Sequence, residues 1–411
     1  MKKKVFYGWY IVVASVLIAA AGIGFHNTAS IFIRPVTEDL GLSRGEFTFF
    51  RTIVILVGAA LLPFYGKLAA RFPIRRIMII GTVMSGLSLI GYSFAANIWY
   101  FYFIAVINGM FMNAAHFMMI AILINRWFED KRGLALGIAF AGSGIGAAVM
   151  VPMVSGIIDV LDWRWGFRFS GMASILILVP TILLLIKEKP EDMGLTPYKK
   201  ANEKDTTQPV DAHSLKGITL PQARKTPTFW FLTIALLLIA MASAAPTAHT
   251  APYLGDIGYP TAVYSAVFSL AMLVLTVGKI FMGYVFDKFG TFVGGVSLGI
   301  FFILAPIFAL LALNPVMPWL HGVFFGLAST GFSVPINIFI LKYFGEKDFT
   351  SILGILSMIM AFGAAFAAPA MGISFDILGN YIPAWWVLLG AGMVITLCLI
   401  GVNITGKKIL N

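Results

Sequence analysis

The sequence predicts an all-α membrane protein, with twelve transmembrane helices in two pseudo-symmetric six-helix bundles. Three observations carry this. The first is composition: of 411 residues, 59% are hydrophobic and 11% charged, with a mean hydropathy of +0.91. Soluble domains carry about 25% charge. The second is length: apolar runs of about 20 residues, enough to cross a bilayer, recur along the chain. They fall at roughly 8–32, 47–70, 75–95, 98–124, 133–157, 166–186, 228–251, 262–285, 291–312, 317–341, 351–375 and 383–405. The third is repetition at one constant offset, taken up below.

The first segment, within MKKKVFYGWYIVVASVLIAAAGIG, has the form of a signal peptide, but its apolar stretch outruns the usual h-region. We read it as an uncleaved first helix. The stretch 188–226 is polar, rich in Lys, Glu, Asp, Thr, Gln and Pro, and reads as a cytoplasmic linker. It separates an N-terminal bundle, 1–187, from a C-terminal one, 227–411.

Lys and Arg sort by loop. Lys2 to Lys4, Lys67, Arg71, Arg75, Arg76, Arg126, Lys131, Arg132, Lys288, Lys342, Lys347, Lys407, Lys408 and the linker cations fall on one side. Arg34, Arg44, Arg51, Arg164 and Arg168 fall on the other. The positive-inside rule then places both termini in the cytoplasm of a multi-pass plasma-membrane protein. The net charge of +11 is a topology signal, and no nucleic-acid partner is expected. The single Cys398 excludes an internal disulfide or a cysteine metal cluster. No cofactor, metal or enzymatic activity is expected: the five His and one Cys come without paired mid-membrane carboxylates.

The halves match at an offset of about 217. PVTEDLGLSRGEF from Pro35 meets PYLGDIGYPTAVY from Pro252, pairing Asp39 with Asp256; GKLAARFPIRR from Gly66 meets GYVFDKFGT from Gly283; Asp159 meets Asp376. RWFEDKRGLALG at 126–137 meets KYFGEKDFTSILG at 342–354 with a one-residue slip. Repeated halves around a mid-membrane site are a transporter architecture.

The sequence G-x-x-x-D-K-x-G at 283–290, with a degraded copy after the second segment, resembles the loop motif of the major facilitator superfamily. RWFEDKRGLALGIAFAGSGIG at 126–146, YLGDIGY at 253–259 and the cation at 279 resemble its monocarboxylate transporter and oxalate–formate antiporter branch. The resemblance implies a major facilitator fold and alternating access. The chain departs from the pattern in several places. Ala70 and Pro73 replace the first-half motif's Asp and Gly. Lys279 stands where the branch has Arg, and Leu275 where many animal members have Asp. No lysine lies between 351 and 375.

Lys279 interrupts the apolar run LTVGKIFMGYVFDKFG. Its plain alternative is a snorkelling lysine. It lies about 12 Å before Asp287 along a helix, and its Cα–Cβ bond leans toward the helix N-terminus, away from the nearer surface. Steps of three and four link it to Gly283, Thr276, Met272, Ser269 and Ser265, a polar stripe. We expect Lys279 to draw an anion into a cavity between the halves. No other basic residue is read as deep in a segment, so one cation suits one carboxylate. That favours lactate, pyruvate or acetate over oxalate, whereas organic-anion exchange of the oxalate–formate kind is the alternative.

A proton carried with each anion would cancel the membrane-potential penalty. The resemblance gives Asp256 a role with the helix-eight cation in proton-coupled gating; a solvated loop acid or helix cap is its plain alternative. His249 is read as a proton acceptor or a backbone-bonded histidine. Lys279 itself is a third proton carrier. Asn113 and His116 share a helix face and line a cavity or join helices; His26 and Asn27 are weaker candidates. Thr330, Ser333 and Asn337 read as a polar stripe on the tenth helix. Asp287, with Arg132 at the start of helix five, is the expected cytoplasmic gate. Gly142, Gly144 and Gly146 sit within a membrane helix, where small residues admit close packing rather than a nucleotide. The expected partners are a small organic anion, protons and the bilayer, and the expected state is a monomer.

Overall fold

The computed structural model describes residues 6–24, 28–115, 117–128, 132–198, 217–333, 335–345 and 347–406. Among these the chain is helical apart from loops and two isolated β-bridges. Among the described residues, each apolar segment read from the sequence lies mostly on helix. Among them, eight helices are each long and apolar enough to cross a membrane, or nine if the bent pair Met317–Phe332 and Pro335–Phe344 is one span.

The chain divides into two compact units, Met1–Leu42 with Phe49–Asp205, and Ser43–Thr48 with Thr206–Asn411. The division falls inside the polar stretch, but Ser43–Thr48 is grouped with the second unit although it begins the helix Arg44–Arg71. The flanks of the stretch are also less idle than their composition suggests. Tyr198 donates its amide to the Trp127 carbonyl and packs against Phe6, Trp9 and Phe128. Ile218 donates to Phe344, and Leu220 to the Asp348 carboxylate. The Ser351 hydroxyl and that Leu220 amide hold the Asp348 carboxyl below the usual range.

In the first unit, Ile74–Tyr92 packs on Ile98–Ala115 and Trp163–Leu185, while Gly8–Ile18 and the π turn Ala19–Ile23 pack on Arg132–Val160. Small residues set these distances. A Cβ at Gly142 would sit 2.3 Å from the Val16 carbonyl oxygen, and one at Gly146 2.1 Å from that of Ala20. This is the close-packing use expected of Gly142 and Gly146. Gly146→Val is therefore expected to abolish recovery of a monodisperse peak in detergent size-exclusion chromatography. Gly137→Ala, whose Cβ meets nothing within 4 Å, is expected to elute like the parent.

In the second unit, Pro227–Asp256 packs on Phe349–Leu378 and Ile382–Gly406, and Thr261–Leu310 packs on Met317–Ser329. The Thr261–Leu310 element carries two sequence segments. Gly290, at φ 78°, breaks it where the loop motif ends, a conformation that costs glycine little. Met317–Ser329 gives way to a single 3₁₀ turn, Thr330–Phe332, before Pro335–Phe344 resumes at a 42° bend. Pro335 has no amide hydrogen with which to continue the ladder.

Candidate functional site

Lys279 lies on Thr261–Leu310 off its exposed apolar face, which consists of Leu273, Val277, Ile280, Phe281 and Tyr284. It is half-buried, and among the described residues it makes no hydrogen bond or ion pair. Its stripe is polar and incompletely satisfied. Thr276 donates back to the Met272 carbonyl, Ser269 Oγ has no partner, and a Cβ at Gly283 would meet open space.

Asp256, the exposed last residue of Pro227–Asp256, is on a helix end rather than a loop, and it is ion-paired, though not with Lys279. It accepts a two-point contact from Arg44, Nη1 to Oδ2 at 2.6 Å and Nη2 to Oδ1 at 2.9 Å. Two parallel bonds are the strong geometry for guanidinium and carboxylate. Arg44 is 8% exposed, lies over the Phe375 ring at 3.8 Å and donates to Tyr381 Oη at 2.7 Å. Asp376 accepts the amides of Arg44 and Gly45 at 2.9 and 2.8 Å, capping the first turn of their helix.

Tyr381 passes the chain of bonds on to His249. Since Arg44 donates to Tyr381 Oη, the phenol hydrogen is free to point at His249 Nδ1, 2.9 Å away. His249 Nε2 lies 2.8 Å from the Ala368 carbonyl, which only accepts, so that nitrogen carries the hydrogen. The fully buried imidazole is thereby satisfied in its neutral Nε2–H form. Burial pushes the Tyr381 phenol up, more than the Arg44 guanidinium lowers it, so it remains an O–H donor at neutral pH.

The repeat explains why this cation comes from so far away. In the first unit Asp39 accepts from Arg164 Nη1 at 2.8 Å and from Trp163 Nε1 at 3.1 Å. The offset relating Asp39 to Asp256 relates Arg164 to Tyr381, which is uncharged. Asp256 therefore takes its counter-ion from residue 44.

The tenth-helix stripe is not continuous, because the helix breaks inside it. Thr330 is fully buried and donates to the Leu327 carbonyl, whereas Ser333 and Asn337 are exposed beyond the bend. Asp287 is exposed and makes no hydrogen bond or ion pair among the described residues. Arg132 begins the helix Arg132–Val160, but its side chain, like that of Asn113, lies outside the described residues. His26, Asn27 and His116 lie outside them altogether.

One expectation is overturned. Lys279 is not the only basic residue deep in a helix. Arg51 lies about 10 Å along Arg44–Arg71 from its first residue. Arg51 is half-buried and lines a cavity of the first unit. The segment boundary drawn at 47 had placed Arg51 near the surface.

The sequence profile of the Major Facilitator Superfamily matches residues 12–368. The chain belongs to the Major Facilitator Superfamily. Monocarboxylate transporter 12 of Xenopus laevis is 24% identical over 98% of this chain and 89% of its own length. The oxalate:formate antiporter of Oxalobacter formigenes is 23% identical over 69% of this chain and 64% of its own. Among solved structures, the nucleoside transporter NupG superposes with a TM-score of 0.75 at 13% identity, covering 97% of this chain and 99% of that one. A bacterial homologue of the lysosomal transporter Spinster gives 0.70 at 14%, covering 100% and 97%.

Sequence reasoning missed Arg44, Tyr381 and Arg51. For the first two a signal existed: the repeat register leaves Asp256 without the arginine that Asp39 has.

Proposed function

We propose that the protein is a secondary active transporter of small monocarboxylates, coupled to protons, with Lys279 as the anchor for the carboxylate. The observation carrying this is the lone Nζ of Lys279, on a helix face turned away from the apolar one and without a counter-ion among the described residues. An ammonium held in a membrane bundle without a partner is costly unless it serves a ligand. The similarity to a monocarboxylate transporter supports the same class. In this reading Ser333 and Asn337 are further substrate contacts. Asp256 and His249, joined through Arg44 and Tyr381, belong to the coupling apparatus. In this reading both termini lie in the cytoplasm, which the distribution of basic residues supports, and the protein works as a monomer.

A second reading has one observation in its favour. The charge count that excluded dianions assumed a single deep cation, and Arg51 removes that premise. Exchange of an oxalate-type dianion is the alternative. Proteoliposomes loaded at pH 7.5 and diluted to pH 6 separate the two readings. Proton-coupled symport predicts that labelled lactate accumulates only with the gradient, and that uptake falls severalfold when a protonophore is added. Lactate-independent uptake of oxalate that requires internal oxalate would replace symport with exchange.

A further inference from the structure

The first unit carries a partly open cavity of about 80 Å3, and Lys279 is not among its described lining residues. Its lining includes Arg51, Tyr92, Asn108 and Thr28, with the rings of Phe32 and Phe167, stacked 3.9 Å apart, as part of an apolar wall. The chemistry of this wall is one-sided. Arg51 contributes a full positive charge, and no acidic residue lines the space among the described residues. Among the described residues its guanidinium makes no hydrogen bond or ion pair. Tyr92 is 1% exposed, and its Oη has no hydrogen-bond partner. Asn108, in contrast, is committed, donating to the Ser88 hydroxyl and the Ser85 carbonyl, which holds that side of the cavity in place.

A guanidinium inside a membrane bundle is retained at high cost unless something neutralises it. A buried hydroxyl without a partner adds a second deficit. Both deficits are of donors, and a small anion accepts from both. The five N–H groups of arginine form a fork that matches a carboxylate. Size permits this class. A water needs about 10–15 Å3 by the measure used for cavities of this kind, so the space is ample for a small carboxylate. The phenylalanine rings suit a methyl group better than a second charge.

We propose that this cavity is a binding site for a small carboxylate of the formate or acetate size, with Arg51 as counter-ion and the Tyr92 hydroxyl as second donor. Lys279 is not among the described residues that line it, and the proposal does not depend on the transport reading. Chloride shares the chemistry of a compact monoanion and is the alternative source of the negative charge.

The test is equilibrium binding of labelled acetate to the purified full-length protein in chloride-free detergent buffer, in a Lys279→Gln background. That background keeps the two cations from being confused. We expect about one acetate bound per chain, at least a tenfold loss of affinity on adding Arg51→Gln, a severalfold loss with Tyr92→Phe, and partial retention with Arg51→Lys. Chloride is expected to compete weakly. Saturable chloride binding with no acetate binding would overturn the carboxylate assignment. Acetate binding unchanged by Arg51→Gln, or absent in Lys279→Gln, would overturn the site. If Arg51→Gln fails to fold, Tyr92→Phe decides, because it removes one oxygen from a group that already lacks a partner. Unaltered acetate affinity in that variant overturns the proposal.

Discussion

Lys279→Gln is expected to reduce carboxylate uptake by at least a hundredfold while leaving the protein folded. The glutamine is one bond shorter, keeps a polar end and removes the charge. A carboxylate desolvated against a neutral site loses its counter-ion, and removing one partner of such a buried pair costs about 2–5 kcal/mol. Every ~1.4 kcal/mol is a factor of ten. The folded state loses little, because Lys279 holds no hydrogen bond or ion pair among the described residues. Lys279→Arg is expected to retain transport with a changed substrate ranking, since the planar fork imposes a two-point geometry that the ammonium does not. Uptake and melting temperature in one detergent preparation separate loss of function from loss of fold.

The Arg44 anchor yields the second large effect, with the opposite signature. Arg44→Gln leaves the Asp256 carboxylate, and Asp256→Asn leaves a mostly buried guanidinium, each without its partner. Breaking one side of a fully buried pair costs about 3–5 kcal/mol, and Asp256 is partly exposed, so a smaller loss is expected here, whereas replacing both sides is often close to neutral. Each single variant is therefore expected to lower the melting temperature clearly, and Arg44→Gln with Asp256→Asn to recover a good part of the loss. The cycle reads the coupling directly. A loss in the double variant equal to the sum of the two single losses would show that the two groups do not act as a pair. Tyr381→Phe is expected to be milder in stability. It breaks the link from Arg44 to His249, so its larger effect falls on the pH dependence of uptake.

Much of the architecture was legible because bilayer thickness dictates it. A run of apolar residues with few charges has one stable solution in lipid, a helix that satisfies its own backbone. The places that escaped are those where a local rule met a tertiary one. Thr330, Ser333 and Asn337 keep helical spacing in the sequence, but Pro335 interrupts the ladder and separates them. Gly142 and Gly146 were readable as contact points because their role needs only an absent Cβ.

The candidate site was legible in part, for a related reason. Lys279 announces itself, since an ammonium in an apolar run has few plain explanations. Asp256 was visible through the repeat, yet its partner lies 212 residues away, and no local pattern points from one to the other. Arg51 was misplaced by a few residues of boundary. In a membrane helix each residue advances about 1.5 Å, so such an error moves a charge from the surface into the interior.

The central claim is that positive charge at position 279 binds the transported anion, and restoring that charge chemically tests it most directly. In a Cys398→Ser background, which removes the single cysteine, Lys279→Cys is expected to be silent in carboxylate uptake. Reaction with a cationic aminoethyl thiosulfonate is expected to recover a substantial share of it, and reaction with a neutral methyl reagent none. Equal recovery by both reagents, or full uptake by the unmodified cysteine variant, would contradict the account.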